Sequence, residues 1–232
     1  MANRYVGFVS DSHFLKCIAH VCTAYKETKT ELTVNDLRGN GLDPFKTVFD
    51  IANRKLDFDK WMAVEAVRQA DKTLNNRIGE FHQMLLGGVR GWVDLGIGDD
   101  SKLDLMKSDK SAFMELKNKY NTVNADSADK VRDKLEAAIT TYPKATAYWA
   151  YIISKKNDSG EKVWKKKGRR TDERIKAIWG AKVYELITGD ANALRNTWKA
   201  LPVAIADYFK GKAGISEPDM KKLVELFESA LG

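Results

Sequence analysis

Two short runs of residues on either side of a turn constrain the fold of this chain most. Lys102–Met106 and Ala112–Lys117 each mix apolar and charged side chains, and they flank Lys107–Ser111, a connector rich in serine and charge. Short runs joined by a polar connector of this kind are typical of a β-hairpin. The sequence therefore predicts a pair of neighbouring strands in the middle of the chain.

The charged side chains of this hairpin fall on one line. Alternate residues of a strand share a face, so Glu115 and Lys117 project together, while Met114 and Leu116 face the side that a helix can cover. Asp104 lies between two leucines on the partner strand. One interpretation is a solvated hairpin face, since Glu and Lys are common there. The apolar surroundings favour the other, a functional site, because charge inside a sheet needs a reason.

A site of this composition suits phosphodiester chemistry. Two carboxylates, Asp104 and Glu115, offer the hard oxygen ligands that Mg²⁺ prefers. A metal bound there would polarise a phosphodiester oxygen and lower the pKa of a bound water. Lys117 would steer that water and stabilise the charge that develops on the phosphorus centre.

The rest of the chain alternates helical and strand patterns. Segment 30–56 is broken by glycine and proline and predicts loops with short helical pieces, while 147–154 predicts a buried strand. Helices are predicted over 10–28, 57–86, 127–141, 181–188, 190–210 and 217–230.

These elements predict an α/β fold with a central mixed sheet of four to six strands flanked by helices. We expect one domain of 232 residues. It would comprise a helical N-terminal portion (1–90), a catalytic core (about 91–190) and C-terminal helices (190–232).

The hairpin residues resemble a known superfamily. Asp104, a gap of ten residues and then Glu115-Leu116-Lys117 is similar to the PD-(D/E)xK nuclease superfamily, with Leu103 in place of the usual proline. More specifically, three blocks resemble the type II restriction endonucleases that cut GGNCC. They are Glu-Leu-Lys-Asn-Lys-Tyr-Asn-Thr (115–122), Ile-Gly-Glu-Phe-His-Gln (78–83) and Tyr-Glu-Leu-Ile-Thr-Gly-Asp (184–190).

The resemblance implies a role for each matching residue. Asp104 and Glu115 would bind the metal, and Lys117 would be catalytic. In several relatives an acid of the preceding long helix joins the metal site. Glu80 is the matching position, although it reads equally well as an ordinary capping or surface glutamate. The implied reaction is Mg²⁺-dependent hydrolysis of double-stranded DNA that leaves 5′-phosphates, and a palindromic site is most simply read by a homodimer.

The positive charge of the chain is concentrated in one stretch. The net charge is +7, and residues 155–170 hold eight Lys or Arg against Asp158 and Glu161, a net of +6. Such charge suits a DNA backbone, although most charge runs are solvated loops. Trp164 is a candidate for stacking on a ligand. We predict DNA contacts from Lys119, Asn121, Lys155, Lys156, Lys165, Lys166, Lys167, Arg169 and Arg170.

Several other classes are disfavoured. No apolar run approaches the roughly 20 residues of a membrane helix, and no signal-like segment opens the chain, so we expect a cytoplasmic protein without membrane partners. The two cysteines should be reduced thiols. His13, Cys17 and His20 share a helix face but lack the fourth ligand of a structural zinc site.

The glycine-containing segment 96–100 lacks the spacing of a nucleotide or calcium loop, so no nucleotide cofactor is expected. Asp94, Asp99 and Asp100 are minor candidates for acids near the metal. Two rival functions stay open. One is a non-catalytic nucleic-acid-binding protein, and the other is a nuclease of the same superfamily that serves DNA repair without strict sequence choice.

Overall fold

A computed structural model describes residues 3–29, 31–39, 41–96, 103–122, 125–212 and 214–231. The described residues form two compact units, one from Met1–Ala19 and Gly79–Gly232 and one from His20–Ile78. The prediction of a single domain stays a prediction. No helix among the described residues is both long and apolar enough to cross a membrane.

The helices follow the sequence patterns closely. The long amphipathic helix begins after Asp57, whose carboxylate accepts a hydrogen bond from the backbone N–H of Lys60 at 2.8 Å, as predicted for its cap. Segment 30–56 forms two short helices, as expected. The helix bounds are α1 Asp11–Glu27, α2 Val34–Gly39, α3 Pro44–Arg54, α4 Phe58–Gly87, α5 Ala125–Thr141, α6 Ala181–Thr188, α7 Ala193–Tyr208 and α8 Glu217–Leu231.

In the described part of the chain the sheet has six strands and is mixed, which confirms the predicted α/β class. Its strands are β1 Trp92–Asp94, β2 Leu105–Lys107, β3 Ala112–Lys119, β4 Thr146–Ile153, β5 Gly160–Val163 and β6 Ile175–Trp179. Their order across the sheet is β1-β2-β3-β4-β6-β5. The first three strands are antiparallel, β3, β4 and β6 are parallel, and β5 returns antiparallel to β6.

The predicted hairpin forms, with a shifted first strand. Strand β2 begins at Leu105 and ends at Lys107, so Asp104 precedes it and the turn shortens to 108–111. Lys102, placed in that strand by its pattern, lies outside the described residues, as do Asp99 and Asp100.

Helix α5 covers one face of the sheet over β3 and β4. A hydrophobic core lies between them, built from α5 residues such as Val131 and Leu135 and from strand residues such as Phe113 and Ala147. On the opposite side, Met114 and Leu116 are buried as predicted. The parallel connection through α5 therefore brings one helix face over the part of β3 that carries Glu115 and Lys117.

Candidate active site

Backbone pairing fixes Asp104 at the entry to β2. Its N–H donates to the carbonyl of Met114 at 3.0 Å, and its own carbonyl accepts from the N–H of Leu95 at 3.0 Å. The carboxylate also accepts a hydrogen bond of 2.6 Å from the backbone N–H of Leu116. The chain thus holds the Asp104 carboxylate against the neighbouring strand, beside the side chains of Glu115 and Lys117.

Glu115 is a buried carboxylate between two lysines. Its residue is 3% exposed. Lys117 Nζ lies 2.8 Å from Oε1, and Lys134 Nζ lies 2.9 Å from Oε2. A buried carboxylate is tolerated only when its charge is balanced, and these two ammonium groups balance it. The charged line on β3 is therefore no solvated hairpin face.

Lys117 links the two acids that the sequence singled out. Its Nζ lies 3.6 Å from Asp104 Oδ2 as well as 2.8 Å from Glu115 Oε1. The two predicted acids thus converge on the ammonium group of Lys117, the third predicted member of the centre. The predicted proximity of Asp104, Glu115 and Lys117 is what the structure shows, while their roles stay predictions.

Sequence reasoning missed Lys134, which reaches the centre from α5. Its side chain is 29% exposed, and it lies between Val131 and Leu135, two buried residues of the same helix. A lysine at the margin of the buried stripe of an amphipathic helix can lay its stem on the core and direct its ammonium group at the sheet. The position of Lys134 beside this buried stripe was the sequence feature that could have indicated its role.

Burial and charge compete at this centre. Burial raises the pKa of Asp104, and the nearby Glu115 raises it further, against the lowering effects of Lys117 and Lys134. Burial disfavours the charged form of Lys117, but Asp104 and Glu115 outweigh it, and the pKa of Lys117 is raised. Lys117 is therefore a cation in the free protein, as a group that stabilises negative charge must be.

The carboxylates of Asp104 and Glu115 are a suitable donor set for a hard cation. Both are hard oxygen donors around a common point that is now filled by an ammonium group. No group of three or more His, Cys, Asp or Glu side chains suited to a metal occurs among the described residues. Glu80 is half-buried on α4. Its part in the metal site stays a prediction.

Asp94, one of the minor candidates, is engaged elsewhere. Its carboxylate accepts hydrogen bonds from the side chain of Gln83 at 2.7 Å and from the N–H of Gly96 at 2.9 Å. Asp94 is paired with Leu105 in the sheet, so it projects on the face opposite to Glu115.

A comparison with known proteins identifies the family of this chain. The family model of the Eco47II restriction endonuclease matches residues 6–210. The chain belongs to this family. It is also 32% identical to the type II restriction enzyme Eco47II of Escherichia coli over 97% of this chain and 98% of that protein. The type II restriction enzyme Sau96I of Staphylococcus aureus is 28% identical over 99% of this chain and 91% of that protein.

Membership of the Eco47II family confirms the predicted enzyme class, a type II restriction endonuclease, and thus a sequence-specific DNA endonuclease. The match begins near the start of the chain and extends just beyond the end of α7. It therefore includes the N-terminal helices, whereas the first seventy residues added little to the resemblance seen in the sequence.

The basic stretch divides into two parts in this family member. Lys166 Nζ lies 2.8 Å from Asp129 of α5, and the Arg169 guanidinium lies 2.6 Å from Asp133. The other predicted DNA contacts are exposed side chains, Lys119, Asn121, Lys155, Lys156, Lys165, Lys167 and Arg170. Part of the +6 charge is therefore already balanced by acids of α5.

Buried Arg132 explains this division. It is 1% exposed and donates to the carbonyls of Trp164 at 2.6 Å and Arg170 at 2.9 Å. The segment between them is thus fastened to α5 and is not the free loop of the alternative interpretation. Trp164, considered for ligand stacking, is buried and packs on Trp149 with ring centroids 4.6 Å apart.

The remaining metal candidates are structural. Both cysteines are free and buried. The imidazole of His13 lies 2.9 Å from the carbonyl of Met84 and 3.7 Å from the sulfur of Cys17. The described residues thus contain no zinc cluster.

Proposed function

We propose that the chain is a Mg²⁺-dependent type II restriction endonuclease that cuts double-stranded DNA at GGNCC and leaves 5′-phosphates. The observation that carries the proposal is the convergence of Asp104 and Glu115 on Lys117 Nζ, at 3.6 and 2.8 Å. The choice of GGNCC rests on the likeness of the 115–122, 78–83 and 184–190 blocks to endonucleases that cut this sequence.

Each residue of the centre has a distinct task in this proposal. Asp104 and Glu115 hold the metal, with Glu80 as a further ligand. When bound, Mg²⁺ polarises the phosphate and lowers the pKa of a water. Lys117 orients the attacking water and stabilises the negative charge that develops on the phosphate oxygens. Its raised pKa keeps it charged at neutral pH for that task.

The exposed lysines of the basic stretch (155–170) hold the DNA backbone. Lys155, Lys156, Lys165 and Lys167 are exposed and available to phosphates, with Lys119 and Asn121 at the end of β3. The guanidinium of Arg169 is engaged by α5, whereas Arg170 is exposed. Arg170 is therefore the better placed of the two to read a guanine edge.

Since GGNCC is palindromic, we propose that two copies act as a homodimer with two-fold symmetry. Each copy would then place one centre on one DNA strand. We further propose that the enzyme acts in the cytoplasm, where DNA is accessible to it.

The test is to incubate the purified protein with a sequenced plasmid and Mg²⁺ and to map the ends. We expect fixed fragments with 5′-phosphate ends at every GGNCC and no cutting in EDTA. Asp104→Asn, which keeps the shape of the side chain but removes the charge, should bind the plasmid and leave it intact. A melting curve equal to that of the wild type controls for folding.

The rival functions give other patterns. Cutting without fixed ends would indicate a repair-type nuclease, and plasmid that stays intact with Mg²⁺ would indicate binding alone. Fixed ends at a different sequence would retain the enzyme class and overturn the proposed GGNCC site.

A further inference from the structure

Two rows of side chains run across the sheet from the catalytic residues. In register, Glu115 is followed by Trp149 on β4, Ala177 on β6 and Lys162 on β5. The next row begins at Lys117 and is followed by Tyr151, Trp179 and Gly160. Neighbouring strands lie about 5 Å apart, so an aromatic surface begins ~5 Å from the catalytic strand and continues to ~10 Å.

A cavity of about 620 Å³ opens over this surface. Trp149, Tyr151 and Trp164 form aromatic walls, and small Ala177 lies among them. We call this cavity, with Lys162 and Lys165 at its border, the aromatic cleft. Its size falls within the range of pockets that hold small ligands.

Two of the rings at the cleft, those of Tyr151 and Trp179, lie parallel to each other, while Trp149 is tilted to Tyr151 by 54°. Tyr151 and Trp179 stack with an interplanar angle of 5° and centroids 5.9 Å apart. Gly160 permits this arrangement, because a Cβ there would lie 2.7 Å from the Trp179 ring. Trp149, Tyr151 and Trp179 are only half-buried. Trp149 and Trp179 pack against the edge of the hydrophobic core and keep part of their surface exposed.

Two lysines border the cleft, and the ammonium group of Lys162 lies 5.4 Å from the centroid of the Trp179 ring. Lys162 and Lys165 are exposed, and neither has a carboxylate partner within ion-pair distance in the described part of the chain, unlike Lys166 and Arg169. The indole N–H of Trp149 is buried without a hydrogen-bond partner among the described residues. Such an orphaned donor is costly and calls for an explanation.

We propose that the aromatic cleft holds an unstacked nucleobase from the nucleotide next to the scissile phosphate. The base would lie on the ring of Tyr151, with Trp149 tilted at its side by 54°, and the phosphate would lie between Lys162 and Lys165. Glu173, the acid in the lining, would face an amino group of the base and not the phosphate. This inference rests on the proposed cleavage of DNA at Asp104, Glu115 and Lys117.

The chemistry of the cleft fits a nucleobase for two reasons. Bases inside a duplex present only their edges, so exposed ring faces serve a base that has left the stack. Stacking on aromatic side chains recovers part of the stacking energy that the base loses on leaving the duplex, and it tolerates any base. The base would come from the intact duplex or from the end made by cleavage, and the test separates these sources.

The test measures the binding of labelled duplexes with Ca²⁺ in place of Mg²⁺, the DNA being checked for integrity. Three kinds of duplex are compared. The first carries the mapped target, and the second carries the target with a single mismatch, made by changing the base on the complementary strand at each position in turn. The third carries a break at the scissile phosphate. We expect one mismatch beside that phosphate to tighten binding about tenfold, because the base is already unpaired. If instead the broken duplex alone gains affinity, the base comes from the product end, and the cleft assignment stands.

Tyr151→Leu keeps an apolar side chain on β4 but removes the ring, and it should abolish the gain in affinity for the mismatched duplex. Trp179→Phe keeps an aromatic ring and should retain that gain in affinity. Lys165→Ala, at an exposed position, should weaken binding of every duplex. Equal affinity of the wild type for all duplexes, or a gain in affinity that Tyr151→Leu retains, would overturn the inference. If that result came from a wild-type protein that cuts its target, only the cleft would fail, whereas a wild type that never cuts would refute the proposed function.

Discussion

Glu115 and Lys134 form an ion pair between β3 and α5, with Lys134 Nζ 2.9 Å from Oε2 of the carboxylate. The other carboxylate oxygen of Glu115 forms an ion pair with Lys117. In the free protein, therefore, both oxygens of a proposed metal ligand face ammonium groups. A divalent ion that binds Glu115 must compete with at least one of them.

We predict that Lys134→Met strengthens metal binding. The change removes a positive charge close to Glu115 but keeps the aliphatic stem that packs beside Leu135. If the competing charge of this partly exposed lysine is worth ~1 kcal/mol, the dissociation constant for Ca²⁺ should fall about fivefold. Isothermal titration calorimetry with Ca²⁺ measures this without reliance on cleavage.

Lys130→Met is the matched control, because Lys130 is an exposed lysine one turn earlier on the same helix. It should leave the affinity for Ca²⁺ unchanged. If both variants bind Ca²⁺ as the wild type does, Lys134 is a structural partner of Glu115 and does not compete with metal.

Lys117→Met should slow cleavage with little effect on DNA affinity. The aliphatic stem remains, but the charge that stabilises the transition state is lost, and one such electrostatic group is worth about 10²-fold or more in rate. Single-turnover rates at saturating enzyme separate this step from binding. Rates equal to wild type would show that Lys117 is only a partner of the two carboxylates.

The sequence predicted the longer helices and strands β2, β3 and β4 because their signals were local, whereas β1, β5 and β6 were not predicted. The long helix before Gly87 had an aspartate cap and a glycine stop, and the bounds of α6 were predicted without error at 181 and 188. The proximity of Asp104 and Glu115 was predictable as well, since strand alternation and a short turn determine it.

The parts that were missed depend on tertiary contacts. Lys134 is close to Glu115 only because the parallel crossover lays α5 over β3, and no local pattern contains that distance. The ion pairs of Lys166 and Arg169 with α5 were invisible for the same reason. In the sequence these residues belonged to one uniform basic run.

The salt dependence of DNA binding should separate the two parts of the basic stretch. Replacing Lys165 and Lys167 together by Ala removes two exposed charges and should reduce the log–log salt slope by about 0.9 for each phosphate that is no longer neutralised. Lys166→Ala, the control, removes a lysine already paired with Asp129, so its slope should match wild type. Fluorescence anisotropy over a salt series gives both slopes. Identical slopes for all three proteins would place the DNA elsewhere.

Cys17 should be inert towards thiol reagents in the folded protein. Burial raises the pKa of its thiol to about 12, so the reactive thiolate is scarce at pH 8. Because the folded pKa lies above the unfolded one, the stabilising contribution is complete below about pH 9 and is lost as pH rises towards 12. Iodoacetamide labelling followed by mass spectrometry should modify Cys17 only after unfolding in guanidinium. Rapid labelling of Cys17 in the native state would contradict this.

Arg132→Met should destabilise the protein more than any exposed charge change. The buried guanidinium pairs with Glu136 at 2.7 Å and donates to the carbonyls of Trp164 and Arg170, so its loss leaves the buried carbonyl of Trp164 without this donor. Removing one member of a buried charged network costs about 3 kcal/mol or more. Urea unfolding measures this loss of stability, provided that the dependence of the unfolding free energy on urea concentration is the same in both proteins and only the midpoint differs. Lys155→Met, on an exposed turn, should cost less than ~0.5 kcal/mol. A similar midpoint shift for both variants would mean that Arg132 does not fasten the basic segment to α5.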